Sequence, residues 1–313
     1  GYRTFYSLSL IYQPITKKRL FFLKKYYCNR SAIEMGKFAG WNLVGTFSGI
    51  AGNYGTGLLM NHVFGTVVIA AQTIANQIGG ALNVFSSNMI KAINPVIVKA
   101  EGEGKRSNML DLSLAGCRYS FFLYTLFAIP CLLEADYVLK LWLKNVPDWA
   151  VLFCRLQILR TMLEQLTNAL GMALMAEGHI MKINIVNLVL SILTFISLYL
   201  LYSFGFLPYW HFIISIIFMV IIESCFKIYY CSRYCHLSIK YFIRNVFVRC
   251  VLCAVIPFLV GLYFVSEFEG QGFLRLCLTS VICTTILIMV LFSIGMNKQE
   301  KNLIVRNMFT NMH

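Results

Sequence analysis

Charge is scarce in this chain, and negative charge is scarcest. Charged residues fill 13% of the 313 positions, about half the roughly 25% typical of soluble domains. With so little charge, a soluble surface cannot be built around a chain that is 58% hydrophobic. The excess apolar area calls for lipid as its cover, and a mean hydropathy of +0.70 agrees. Catalytic signatures are also missing. No HExxH, GxSxG, DxD or paired-carboxylate pattern occurs, which argues against a compact catalytic set. The absence of GxxxxGK[ST] argues against a chain that hydrolyses ATP itself. The five histidines are scattered over loops and helix ends. No second CxxC or nearby His pair joins Cys250 and Cys253 into a zinc set, so the eleven cysteines read as small buried hydrophobes. No cofactor is expected. The chain starts at Gly1 with no signal peptide at its head, and reads as a fragment or trimmed product.

What is present is a series of long apolar runs. A spanning helix needs about 20 mostly apolar residues. Eight candidates fall near 39–60, 66–91, 112–134, 150–174, 183–203, 208–226, 250–266 and 273–295, which makes the expected fold an all-α transmembrane bundle. From Ile183 to Ile222, forty residues pass without one Asp, Glu, Lys or Arg, and Ser203 to Pro208 supplies the turn between two spans. The first candidate is less clean, because Ala51 to Gly57 is polar and flexible.

The basic residues sort by side. Segments 1–38, 92–117, 175–182, 227–249 and 296–313 hold twenty Lys and Arg, whereas 61–65, 135–149, 204–207 and 267–272 hold two. By the positive-inside rule the basic segments and both termini are cytoplasmic. That rule, rather than nucleic-acid binding, accounts for the net charge of +14. Trp142, Trp149 and Trp210 fit an aromatic belt at the opposite interface. Segment 1–38, with Lys17, Lys18, Arg19, Phe21 and Phe22, reads either as a helix on an anionic leaflet or as a solvated linker. The expected organisation is this segment, a six-helix bundle over 39–230, a basic loop at 231–249, a helix pair at 250–295 and a tail at 296–313.

Polar residues inside spans are costly, so their placement is informative. At about 100° per residue, Gln72, Asn76, Gly79, Asn83, Ser87, Lys91 and Asn94 share one face of the second span. Gln157, Arg160, Thr161, Glu164, Asn168 and Gly171 share one face of the fourth. Each stripe suits either a wet path or close helix packing. Arg160 and Glu164 are spaced to pair at i,i+4, as a functional or a register-fixing pair. Arg155 points elsewhere, and Lys91 is placed to snorkel.

Several stretches in order carry a resemblance: Phe38-Ala-Gly-Trp-Asn42, Asn83 to Pro95, Val138 to Leu143, and Met175-Ala-Glu-Gly-His179. Together they resemble the polysaccharide and O-antigen flippases of the multidrug/oligosaccharidyl-lipid/polysaccharide exporter superfamily, over roughly 35–300. The resemblance implies a MATE-like transporter of 14 helices in two lobes, with this chain matching helices 7–14. It implies export of undecaprenyl-diphosphate-linked oligosaccharide across a bacterial inner membrane by alternating access. Membrane lipids, a coupling ion, and polysaccharide polymerase and glycosyltransferases follow as implied partners. By matching position Lys91 and Arg155 are the implied diphosphate contacts. With Asn42, Gln72, Asn76, Asn83, Ser87, Arg160, Glu164 and Asn168 they form the expected path. A cation-coupled drug antiporter of the same superfamily would want buried acids, for which only Glu164 and Glu223 qualify. A membrane polymerase or lipid-sugar transferase would want a long exported loop, and the longest here is about 15 residues. A non-transporting scaffold for glycan assembly is a third alternative.

Overall fold

The structure is a computed structural model that describes residues 29–268, 270 and 272–295. The basic segment before residue 29 and the tail at 296–313 lie outside the described residues. The chain divides into two compact units, Gly1–Leu43 and Val44–His313, and the first described helix runs through both.

Every regular element among the described residues is helical. They are α1 (Asn29–Phe64), α2 (Thr66–Gly102), α3 (Arg106–Leu133), α4 (Ala135–Trp142), α5 (Ala150–Gln165), α6 (Asn168–Ala176) and α7 (Ile180–Ser203). They continue with α8 (Trp210–Tyr234), α9 (Ile239–Glu267) and α10 (Phe273–Gly295). Wider π-helical stretches interrupt α8 at Ile216–Ile222 and α9 at Ile243–Phe247, and one closes α10 at Leu291–Gly295. Among the described residues, six helices, α2, α3, α7, α8, α9 and α10, are long and apolar enough to cross a membrane. The protein is an all-α polytopic membrane bundle.

Two of the eight expected spans are not among those six. Segment 39–60 lies inside α1, which at 36 residues is long enough, but its Gly, Ser, Thr and Asn dilute the apolar content. Segment 150–174 is broken: α5 stops at Gln165 and α6 starts at Asn168. The expected basic loop at 231–249 is mostly helix, because α8 continues to Tyr234 and α9 starts at Ile239. Lys and Arg are good helix formers whose stems lie along apolar surface, so charge there marks the end of the hydrocarbon layer rather than of the helix. The helix pair expected at 250–295 accordingly begins at Ile239. The connection expected at 61–65 shrinks to Gly65, whose φ of 82° suits a residue without Cβ.

α3 is the central post. Two thirds of its most apolar window is buried, against 17% for α10. It packs on α2, α5 and α6 on one side and on α9 and α10 on the other. Ile97, Met109, Leu174, Cys231 and Phe242 fill the core at one end. Met60, Phe153, Leu198 and Phe212 fill it at the other. Contacts between connections fix which ones share an end. Arg106 Nη1 donates to the Tyr234 carbonyl (3.1 Å), and its Nη2 lies 3.5 Å from Glu177. These bring the α2–α3, α6–α7 and α8–α9 corners together. At the opposite end, Trp149 packs on Tyr209. There Arg275 donates to Glu134 at 2.7 Å, with Glu134 1% exposed. Exposed Ile192, Ile196 and Leu200 on α7 form an apolar outer face, as lipid contact requires.

Candidate functional site

The polar stripes of α2 and α5 converge beside α1. Between the three helices lies a cavity of about 830 Å³ whose walls include Asn53, Asn61, Gln72, Asn76, Gln157 and Arg160. Ligand pockets commonly measure about 300–1,000 Å³. Among the described residues that line it, Arg160 is the one charged side chain. It also borders a smaller cavity of about 70 Å³ with Ser191, Thr194, His211 and Ser215.

One turn further along α5 the chemistry changes sign. Asn83, Glu164, Gln165, Asn168, Glu223 and Lys227 line a separate cavity of about 240 Å³. Two carboxylates and one ammonium line it, and Arg160 beside Glu164 balances the second carboxylate. Glu223 and Lys227, one turn apart on α8, form an ion pair at 2.8 Å. Arg160 and Glu164 join the two cavities, with Nε 3.1 Å from Oε1. The charges are close, but Nε is not aligned for a hydrogen bond and finds no other partner among the described residues. The Arg160 side chain is 17% exposed and that of Glu164 37%. The pair is therefore half wet, and weaker than a dry bidentate one.

The expected path residues divide accordingly. Gln72, Asn76 and Arg160 meet in the larger cavity, and Asn83, Glu164 and Asn168 in the smaller. The other four line neither of these cavities, nor the small one beside Arg160. Ser87 turns its hydroxyl back to the Val84 carbonyl at 3.0 Å. Lys91 is exposed toward the basic end of α2. Arg155 is exposed, and its Nε donates to the Leu132 carbonyl at 3.3 Å. Asn42 belongs to the N-terminal unit. Part of the α2 stripe is packing: a Cβ on Gly79 would sit 2.8 Å from Gln157 Cγ, so glycine lets the two helices approach. Part is a cross-helix hydrogen bond, Gln165 Nε2 to Asn83 Oδ1 at 3.1 Å.

Sequence reasoning missed three participants. His211, read as a helix-end residue, is buried, and its ring Nε2 bonds to the Gln72 amide at 3.1 Å. Its Nδ1 and Gln72 Oε1 have no hydrogen-bond partner among the described residues. Nothing local in the sequence signals that contact. Gln165 lies off the stripe by angle. Lys227 was counted with a loop, although its i,i+4 spacing from Glu223 was readable. Among the described residues, no group of three or more His, Cys, Asp or Glu could hold a metal ion. In comparisons with known proteins, no family model, curated protein or solved structure matches this chain.

Proposed function

We propose that this chain belongs to a transporter that moves an anionic, lipid-linked oligosaccharide across a membrane by alternating access. The best candidate cargo is undecaprenyl-diphosphate-linked glycan for surface polysaccharide synthesis, exported across a bacterial inner membrane with both termini cytoplasmic. One observation supports this most: a cavity of about 830 Å³ walled by amides, with Arg160 as the one charge among the described residues that line it. Moving a glycan and a diphosphate through about 30 Å of hydrocarbon means replacing their hydration. Amides that both donate and accept, such as Asn61, Asn76 and Gln157, suit sugar hydroxyls. A guanidinium suits phosphate oxygens bidentately. The isoprenoid tail stays in the bilayer. Arg160 replaces Lys91 and Arg155 as the favoured diphosphate contact, since neither of those lines the cavity. The ordered motifs and the one-sided charge of the connections support the same reading.

Farnesyl diphosphate, a short isoprenyl diphosphate, tests it. The chain in nanodiscs of uncharged phosphatidylcholine should bind this probe. Arg160→Gln should weaken binding about 10–100-fold, the worth of a charge-assisted contact of about 1.5–3 kcal/mol. Arg155→Gln should leave it within about twofold. Equal affinities for wild type and Arg160→Gln would refute the proposed role of Arg160.

A further inference from the structure

At the end of the bundle where Arg106 gathers three corners, the positive charges are not all used alike. In the α2–α3 corner each cation has an acid. Lys99 and Lys105 pair with Glu103 at 3.8 and 2.8 Å, and Arg106 with Glu101 at 2.6 Å. In the α6–α7 corner Lys182 donates to the Tyr234 hydroxyl at 2.6 Å. The first turns of α9 differ. Lys240 and Arg244 are exposed, and among the described residues neither meets a carboxylate. The sequence supplies none nearby, since no Asp or Glu occurs from Ser224 to Ser266. The positive-inside rule counts all these cations alike, so it does not explain why this pair keeps its charge unspent.

A second observation fixes where the pair points. Phe242 and Val246 are 2% and 0% exposed and hold one face of α9 against the core. At about 100° per residue, Lys240 and Arg244 lie on the opposite face. Further along α9 the outer surface turns apolar, with Phe247, Val248, Val255 and Leu259 all exposed. From Phe247 to Leu259 the helix rises about 18 Å, enough for the acyl half of one leaflet, about 15 Å. Two cations at the head of an apolar stripe of that depth match a phospholipid with a net negative headgroup. A soluble acidic partner would meet the charges and leave the stripe bare. A zwitterionic lipid would cover the stripe and bring the cations no net charge.

We infer that the outer face of α9 is a binding site selective for an anionic phospholipid, with Lys240 and Arg244 on the headgroup phosphate and the stripe from Phe247 to Leu259 along an acyl chain. The guanidinium fork takes the two free phosphate oxygens, and the ammonium adds a point charge beside them. Contact with bilayer lipid in general selects nothing, whereas this face selects by charge. α9 packs on the side of α3 away from α2, α5 and α6. The lipid site is therefore separate from both cavities and does not depend on the transport role proposed above.

The test uses the full chain in phosphatidylcholine nanodiscs with a trace of phosphatidylglycerol that carries a diazirine high on one acyl chain. After irradiation, the cross-linked residues are mapped by mass spectrometry. The label should concentrate between positions 240 and 251. Raising unlabelled phosphatidylglycerol to about a tenth of the lipid should displace about half of it, the mark of a preference of about tenfold over phosphatidylcholine. Lys240→Gln with Arg244→Gln should abolish the local label. Lys99→Gln with Lys105→Gln removes the same charge from paired positions and should leave the label in place. Label spread evenly over the lipid-facing helices of the wild type overturns the site, as does label that survives in the Lys240 and Arg244 variant. Equal loss in both double variants makes the attraction a diffuse surface charge and overturns it too. Displacement by millimolar inorganic phosphate would make this a site for free phosphate and overturn the lipid assignment. Should the Lys240 and Arg244 variant fail to elute and melt as wild type does, the wild-type map and its competition still decide.

Discussion

The two cavities on α5 share one helix and differ in sign. The larger carries Arg160 among amides, and the smaller carries Glu164 and Glu223 against Lys227. Four residues separate Arg160 from Glu164, one turn and about 6 Å of rise. The comparison teaches that an i,i+4 ion pair can act as a partition as well as a brace. Each partner neutralises the other at rest, while each faces a different compartment. A fully buried pair would be held too tightly to trade partners, whereas this one is half wet and imperfectly aligned. The Glu134–Arg275 pair is the contrast. At 2.7 Å and almost dry, it ties the α3–α4 corner to α10, with Thr279 as a second donor at 3.4 Å.

The largest expected effect separates the tie from the partition. Glu134→Gln strands Arg275 in a buried position, which costs about 3–5 kcal/mol. The melting temperature of the purified protein should fall clearly, while farnesyl diphosphate binding in the surviving folded fraction is unchanged. Arg160→Gln should do the reverse, with weak binding and a melting point shifted by far less, because Glu164 stays solvated. A collapse of stability in Arg160→Gln would make that pair a brace like the other. Next in size, Gly79→Leu pushes against Gln157 at the α2–α5 contact. Overpacking costs about 1–3 kcal/mol and should narrow the larger cavity, weakening anion binding. A smaller effect, about threefold to tenfold on anion affinity alone, is expected for Gln157→Leu. Ser87→Ala should change nothing measurable, since that hydroxyl only returns to its own helix.

Much of the architecture was legible. The uncharged run from Ile183 to Ile222 located α7, its turn at Gly205 and the start of α8, because a bilayer imposes length and polarity directly on sequence. The i,i+4 spacing of Arg160 and Glu164 and the two polar stripes followed from helical periodicity, but that Arg160 meets Gln72 and Asn76 in one cavity did not. Nor did the break at Leu166-Thr167, since no Pro or Gly marks it and the Thr167 hydroxyl finds its partner, Ser224, 57 positions away. The helical course through 227–234 and from Ile239 was hidden because averaged hydropathy reads Lys227 and Arg233 as loop. The partnership of His211 with Gln72 spans 139 positions, beyond the reach of any local pattern. Ser87 and Lys91 extend a correct angular stripe past the end of the cavity, where angle no longer implies depth.

The proposed orientation gives a further check on the setting of both cavities. In a cysteine-free background, a single cysteine at position 104 should resist a membrane-impermeant reagent applied to intact cells, and one at position 145 should react. Labelling of position 104 alone would invert the assignment of sides.

The partition itself is tested most directly by exchanging its two charges. Arg160→Glu with Glu164→Arg keeps the pair and its attraction but moves the cation one turn, from the larger cavity to the smaller. Melting temperature and farnesyl diphosphate affinity are measured on the same nanodisc preparation. The account predicts a melting point near that of wild type with binding reduced at least tenfold. Near-normal affinity in the folded, exchanged protein would contradict it and leave the pair as a structural brace.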